Sequence, residues 1–182
     1  MMYIRKYQPA DVLDIQRIYQ VCFSGPPWNQ EVTAEEAELR WQEHSSKEGF
    51  TCFVAVHDHQ IVGAAWFNVI SRNELTKERG HALANFATSI NLTPKFIWIR
   101  ETIVDPAFQG QGIASRLKEK VVQEVKEHFV PPIMLLTRMR DDNTNIVHIN
   151  EKLGFKRTGI KVKSKATPDL LHEYWHLVLN KC

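Results

Sequence analysis

The chain has 182 residues, 43% of them apolar and 24% charged, a length that buries one proper core and is short for two, so one domain over residues 1–182 is expected. Its 23 basic and 21 acidic side chains nearly cancel, which excludes the broad positive footprint that drives binding to a phosphate backbone and argues against nucleic acid as a principal partner. Residues 1–7 carry Arg5 and Lys6 but no apolar signal core, and no later apolar run approaches a membrane span, so a cytoplasmic protein without a membrane partner is expected.

Residues 2–8 can open a strand. Pro9, Ala10 and Asp11 then start a helix whose apolar positions Val12, Ile15, Ile18, Tyr19 and Cys22 recur at helical spacing until Ser24, Gly25, Pro26 and Pro27 end it. Thr33 with Glu36 spells a capping box for a second helix through Ala37 and Leu39 to about Lys47. Residues 51–56 and 61–68 are rich in β-branched and aromatic side chains, and the short Asp58, His59, Gln60 link between them reads as a hairpin. Residues 69–95 are too many for a bare loop; Leu83, Phe86, Ala87 and Ile90 make part of the segment helical, and such insertions often shape binding sites.

Residues 96–104 form a strong apolar strand. From Gly112 onward Ile113, Leu117, Val121, Val125 and Phe129 recur every four residues, predicting a helix that stops before Pro131 and Pro132. Residues 133–137 read as a buried strand and residues 143–153 as a helix ended by a left-handed Gly154. Two strands, around residues 155–163 and 173–179, close the chain, which has no repeat and no low-complexity segment.

The stretch IRETIVDPAFQGQGIA, residues 99–114, carries the chemistry, because a strand passes there through a short glycine-bearing loop into a long helix. Glycines let successive backbone N–H groups converge on an anion, and the unsatisfied donors and dipole at the helix start favour negative charge, so a pyrophosphate suits the position. Two better-known phosphate loops are excluded. Gly112 is followed by Ile113 and Ala114, so there is no Walker GxxxxGK motif, and a dinucleotide fingerprint would need glycine or alanine where Ser115 stands.

In this stretch the sequence resembles the GNAT superfamily of N-acetyltransferases. The pyrophosphate loop of that family runs Arg or Gln, two residues, Gly, one residue, then Gly or Ala, and is matched here by Gln109, Gly112 and Ala114. Val104, Asp105 and Pro106 leaving the strand, the long helix behind the loop, and Asn143 leading a helix that ends EKLGF at residues 151–155 fit the same pattern. The resemblance follows the order of elements along nearly the whole chain, is strongest over residues 97–155 and is weak before residue 51.

The resemblance implies an α/β fold of the GNAT type, a single domain with a mixed, strongly twisted sheet flanked by helices. Strands 96–104 and 133–137 would run parallel and splay apart to admit coenzyme A. It implies acetyl-coenzyme A as cosubstrate; that no metal is expected rests on the histidine and cysteine spacings below. Gln109, Gly110, Gln111, Gly112, Ile113 and Ala114 would surround the pyrophosphate, and the backbone at Ile103 and Val104 would serve the pantetheine arm and the thioester carbonyl. Asn143 matches an asparagine that contacts the cofactor and reads equally as the N-cap of its helix. The activity implied is transfer of an acetyl group to a primary amine, of a small molecule or a peptide, by direct attack in a ternary complex; a homodimer remains open.

An alkyl ammonium is free amine only about once in a few thousand molecules at pH 7, so attack on a thioester needs a route for its proton. Glu101 is the candidate base, since it lies among Ile97, Ile99 and Ile103, where desolvation raises a carboxyl pKa, and relatives often place a glutamate in this strand. Its bland reading is a carboxylate turned to solvent or to a basic neighbour. Many relatives have a tyrosine just before the EKLGF segment to protonate the departing thiolate; Asn150 stands there and cannot act as an acid, leaving Tyr174 as a distant substitute. An acyl-coenzyme A-binding sensor or partner subunit with little or no turnover is therefore the rival reading, and modification of protein N-termini or lysines is a second.

Other features carry less. His57 with His59 looks like a hairpin turn, and His172 with His176 lies in a strand, where four residues span about 13 Å, too far for one zinc ion. Cys22, Cys52 and Cys182 lack CxxC spacing, and the first two read as small core residues. Lys161, Lys163 and Lys165 alternate along one strand face as edge protection more than as a docking patch. Trp28 and Phe86 fall where the family forms its acceptor pocket and fit a core equally well.

Overall fold

The computed structural model describes residues 1–90, 93–165 and 167–180; Cys182 lies outside the described residues. In chain order the elements are β1 (Met2–Lys6), a 3-10 turn (Pro9–Asp11), α1 (Val12–Ser24), α2 (Ala34–Ser45), β2 (Thr51–His57), β3 (Gln60–Ser71), α3 (Arg72–Arg79), α4 (His81–Ile90) and β4 (Lys95–Val104). A second 3-10 turn (Pro106–Phe108), α5 (Ile113–His128), β5 (Ile133–Arg140), α6 (Thr144–Lys152), β6 (Lys156–Lys163) and β7 (Leu171–Leu179) follow. The strands form a mixed sheet in the order β1-β2-β3-β4-β5-β7-β6, so the fold is the expected α/β class. The β4–β5 pairing is parallel, at Ile97↔Leu135 and Trp98↔Leu136. The chain forms two compact units, Met1–Phe67 with Arg100–Glu124, and Asn68–Ile99 with Val125–Cys182.

In the first unit, local signals set the boundaries. The Thr33 hydroxyl accepts from Glu36 N at 3.1 Å while the Glu36 carboxylate accepts from Thr33 N at 2.8 Å, so the predicted capping box starts α2. Asp58 and His59 both have positive φ, and His57 pairs with Gln60, giving a two-residue hairpin turn one residue tighter than the sequence suggested. The apolar face of α1 supplies Ile15 and Ile18 to a core with Trp41, Cys52, Val54, Val56, Ile61, Ala64, Trp66 and Ile103.

The alternation of β3 changes phase inside that core. Ala55 pairs with Gly63 and Val56 with Ile61, so Val62 is an extra residue, a β-bulge. Ile61 before it and Ala64 and Trp66 after it reach the same core cluster, although they are odd and even positions. Gly63 is thereby turned to the other face of the sheet, toward Ile113 and Leu117 of α5.

α5 also buries a lysine. Lys118 is 3% exposed, and burial pushes its pKa down to about 7. Below that pH both folded and unfolded chains carry the proton; between about 7 and 10.5 only the unfolded chain does, so this group makes folding stability rise with pH across that window. Lys118→Met is expected to remove that rise, read as the difference between the two proteins' thermal midpoints from pH 6 to pH 10. Parallel curves would contradict it.

The second unit has its own core of Ile70, Leu75, Leu83, Ala84, Ala87, Phe96, Trp98, Met134, Leu136 and Tyr174. The insertion is more ordered than its sequence suggested. β3 continues to Ser71, whose hydroxyl accepts from Glu74 N at 3.2 Å to cap α3, and Gly80, at φ 92°, separates α3 from α4. Leu75 is the buried residue of α3, which explains why its charged sequence shows no helical apolar stripe. Phe86 packs against this core and stands 5.0 Å from the His176 ring. On β6 exposed Lys161 and Lys163 alternate with half-buried Ile160 and Val162, and Lys161 pairs with Asp141 at 2.8 Å. Among the described residues no helix is long and apolar enough to cross a membrane.

Candidate active site

β4 is buried from Phe96 to Ile99, half-buried through Arg100, Glu101 and Thr102, and buried again at Ile103 and Val104. Where it ends, Asp105 fixes the exit of the chain with three contacts. Its N–H donates to the Val62 carbonyl at 2.9 Å, one carboxylate oxygen accepts from Ala107 N at 3.0 Å to cap the 3-10 turn, and the other accepts from Arg17 at 3.0 Å. The Phe108 ring packs 5.6 Å from that of His57, and Gln109 Nε2 reaches back to the Val104 carbonyl at 3.2 Å. Gln109 therefore braces the loop against the strand through its side chain.

Beyond that brace, Gly110 and Gly112 stand at φ 78° and 74° with exposed Gln111 between them. A Cβ on either glycine would meet nothing within 4 Å. Glycine is present for its conformation, and the backbone it turns faces open space. Helical bonding begins at once, with Arg116 N donating to Gly112 O at 3.1 Å, so the first N–H groups of α5 lie immediately after the turned backbone. Alternating left-handed glycines ahead of a helix start make an anion-binding concavity, and a pyrophosphate fits the chemistry of this one.

Glu101 lies in the same unit with two neighbours on α1 that the sequence reading assigned only to a helix face. Burial raises the pKa of Tyr19 well above the usual phenol value, and the Glu101 charge adds to the rise while Arg40 opposes it. Burial likewise raises the Cys22 thiol; a Val104 backbone hydrogen bond opposes the shift, and Glu101 and Asp105 add to it. Tyr19, Cys22, Glu101 and Val104 thus share one electrostatic neighbourhood at the end of β4. The Tyr19, Phe23 and Trp28 rings continue from it in a row, with centroids 4.6 Å and 5.0 Å apart. Trp28 is half-buried and belongs to this aromatic row. The spacing of Tyr19 and Cys22, three residues apart on one helix face, was the available signal, but nothing local says that the face meets Glu101.

Ile103, Val104 and residues 109–114 are thus held in one continuous segment of the first unit with Glu101 upstream. Asn143 belongs to the second unit, where its side chain accepts from Ile146 N at 3.4 Å and caps α6. Asn150 is fully buried there, its amide donating to Met139 Sδ at 3.6 Å, and Tyr174 is 2% exposed in the core, 6.1 Å from the Trp98 ring.

The strand-to-helix junction of this mixed α/β sheet thus carries two left-handed glycines ahead of a helix start, with the Glu101 carboxylate upstream in the same unit. The chain belongs to the Acetyltransferase (GNAT) family, whose model matches residues 12–155. Solved structures share the fold at low identity. A ribosomal-protein-alanine N-acetyltransferase from Brucella melitensis is 20% identical, with 97% of this chain and 99% of that one covered at a TM-score of 0.71. The putative acetyltransferase yncA from Salmonella typhimurium, solved with acetyl-CoA, is 19% identical, with 100% and 95% covered at 0.71. NAA60 from Arabidopsis thaliana, in complex with a bisubstrate analogue, is 12% identical, with both chains fully covered at 0.68. No curated protein matches the chain significantly in sequence.

Proposed function

We propose that the chain acts as one N-acetyltransferase module that moves an acetyl group from acetyl-coenzyme A to a primary amine by direct attack in a ternary complex. The observation that carries this reading is the pair of left-handed glycines, Gly110 and Gly112, opening onto free space ahead of α5 in a chain of the GNAT family. In this reading the turned backbone of residues 109–114 and the start of α5 hold the pyrophosphate, while the backbone at Ile103 and Val104 receives the pantetheine arm and polarises the thioester carbonyl.

The amine reaches the thioester as an ammonium, and Glu101 takes its proton, directly or through a water. The free amine attacks the carbonyl carbon, the attacking nitrogen gives up its second proton to solvent as the carbon–sulfur bond breaks, and coenzyme A leaves as thiolate, which takes a proton from solvent because Asn150 supplies none. The ribosomal-protein-alanine acetyltransferase among the similar folds makes a peptide N-terminus a reasonable first acceptor beside small amines.

Buried Asn150 supports the second reading, a coenzyme A-binding relative with little or no turnover. Release of coenzyme A thiol from acetyl-coenzyme A separates the two. The enzyme reading expects release that depends on one or more members of a panel of amines and N-terminal peptides. Tight binding of acetyl-coenzyme A without release across the whole panel would favour the sensor.

A further inference from the structure

Gly63 is buried in β3, and its φ lies outside the left-handed region, so nothing in its backbone conformation calls for glycine. What calls for it is room. A Cβ built on Gly63 would stand 2.9 Å from the Ile103 carbonyl oxygen, 3.2 Å from Leu117 Cδ1 and 3.3 Å from Ile113 Cγ2. The first of these contacts is with backbone, which cannot rotate away as a side-chain tip can. The Val62 bulge aims this position at α5, and the Val62 carbonyl next to it accepts from Asp105 N at 2.9 Å, just where the chain leaves β4.

The missing side chain therefore lies where two parts of the proposed cofactor site converge. Ile103 belongs to the strand exit that would receive the pantetheine arm, and Ile113 is the first residue of the helix that follows the glycine cradle. Resting on the acetyl-coenzyme A reading above, we infer that Gly63 is a positioning residue, which sets the distance between the arm-binding backbone of β4 and the pyrophosphate cradle by letting α5 and Ile103 close on a bare strand backbone. Packed interiors do not absorb an extra methyl group without shifting a neighbour, and here the Ile103 backbone and the start of α5 must both give, which moves one relative to the other.

A ligand that spans both places registers such a shift, whereas one that touches only the cradle moves with it. Wild-type and Gly63→Ala proteins are titrated with coenzyme A by calorimetry, and with 3′-phospho-ADP, which carries the pyrophosphate without the arm, by NMR. Coenzyme A affinity is expected to fall roughly 10- to 100-fold, and that for 3′-phospho-ADP to change by less than about threefold. An equal loss for both probes, or unchanged coenzyme A affinity in the folded variant, would overturn the inference. If Gly63→Ala does not fold, Gly63→Ala with Leu117→Ala removes one of the two side-chain overlaps and takes its place under the same criteria; failure of both to fold would make Gly63 a residue of the fold alone and also overturn it. A wild-type protein that binds neither probe would instead remove the acetyl-coenzyme A reading.

Discussion

Gly112→Val is expected to lower coenzyme A affinity by at least about 100-fold while the protein stays folded. Gly112 stands at φ 74°, a region that β-branched residues avoid, and holding valine there costs on the order of 1–3 kcal/mol. The loop can escape that strain by turning its peptides over, because no neighbour lies within 4 Å of the new Cβ to hold it. Turning them over points the N–H groups away from the pyrophosphate, and each lost hydrogen bond to a charged acceptor forfeits roughly 1.5–3 kcal/mol. The same open surroundings protect the fold, since the core cluster that includes Ile103 is not touched. Calorimetry with coenzyme A on the folded variant measures the effect, and Gly112→Ala should fall between the two proteins. Affinity unchanged by valine would mean that the phosphates bind elsewhere.

The contrast between Gly112 and Gly63 shows which parts of the site can be read from sequence. Gly112 announces itself, because a glycine between a strand and an amphipathic helix is a local signal of the same kind as the Thr33 and Glu36 capping box or the Asp58–His59 turn. Each of those depends on residues a few positions apart. Gly63 sits in the middle of an apolar run, and its meaning depends on Ile103, Ile113 and Leu117, 40 to 54 positions away in the chain. The bulge at Val62 that aims it is equally silent, since a run of buried residues has no polar partner to show the change of phase. Tyr19 and Cys22 illustrate the same limit: helical spacing assigns them to a face of α1, and only the fold brings that face to Glu101. Asn143 was legible in its capping role, a matter of three residues, whereas any role toward a cofactor depends on tertiary placement.

Glu101→Gln is expected to keep acetyl-coenzyme A binding and to lower turnover by roughly 10²- to 10⁴-fold at neutral pH, the usual worth of a positioned base. Glutamine keeps the size of the side chain and its place between the buried halves of β4 but cannot take a proton. The defect should shrink as pH rises, because an amine with a pKa near 10.4 is increasingly neutral above about pH 9 and needs less help, so the two pH–rate profiles converge. A second readout comes from α1. The Glu101 charge contributes to the raised pKa of the Cys22 thiol, so its removal should shift the pH dependence of Cys22 alkylation toward lower pH in the variant. That shift reports that the Glu101 charge faces Cys22 in the wild-type protein, while retained acetyl-coenzyme A affinity separates a lost base from a rearranged strand. With the shift present and chemistry shown to limit the rate, wild-type turnover at pH 7 would exclude Glu101 as the base and leave the ammonium proton to water or to the acceptor itself.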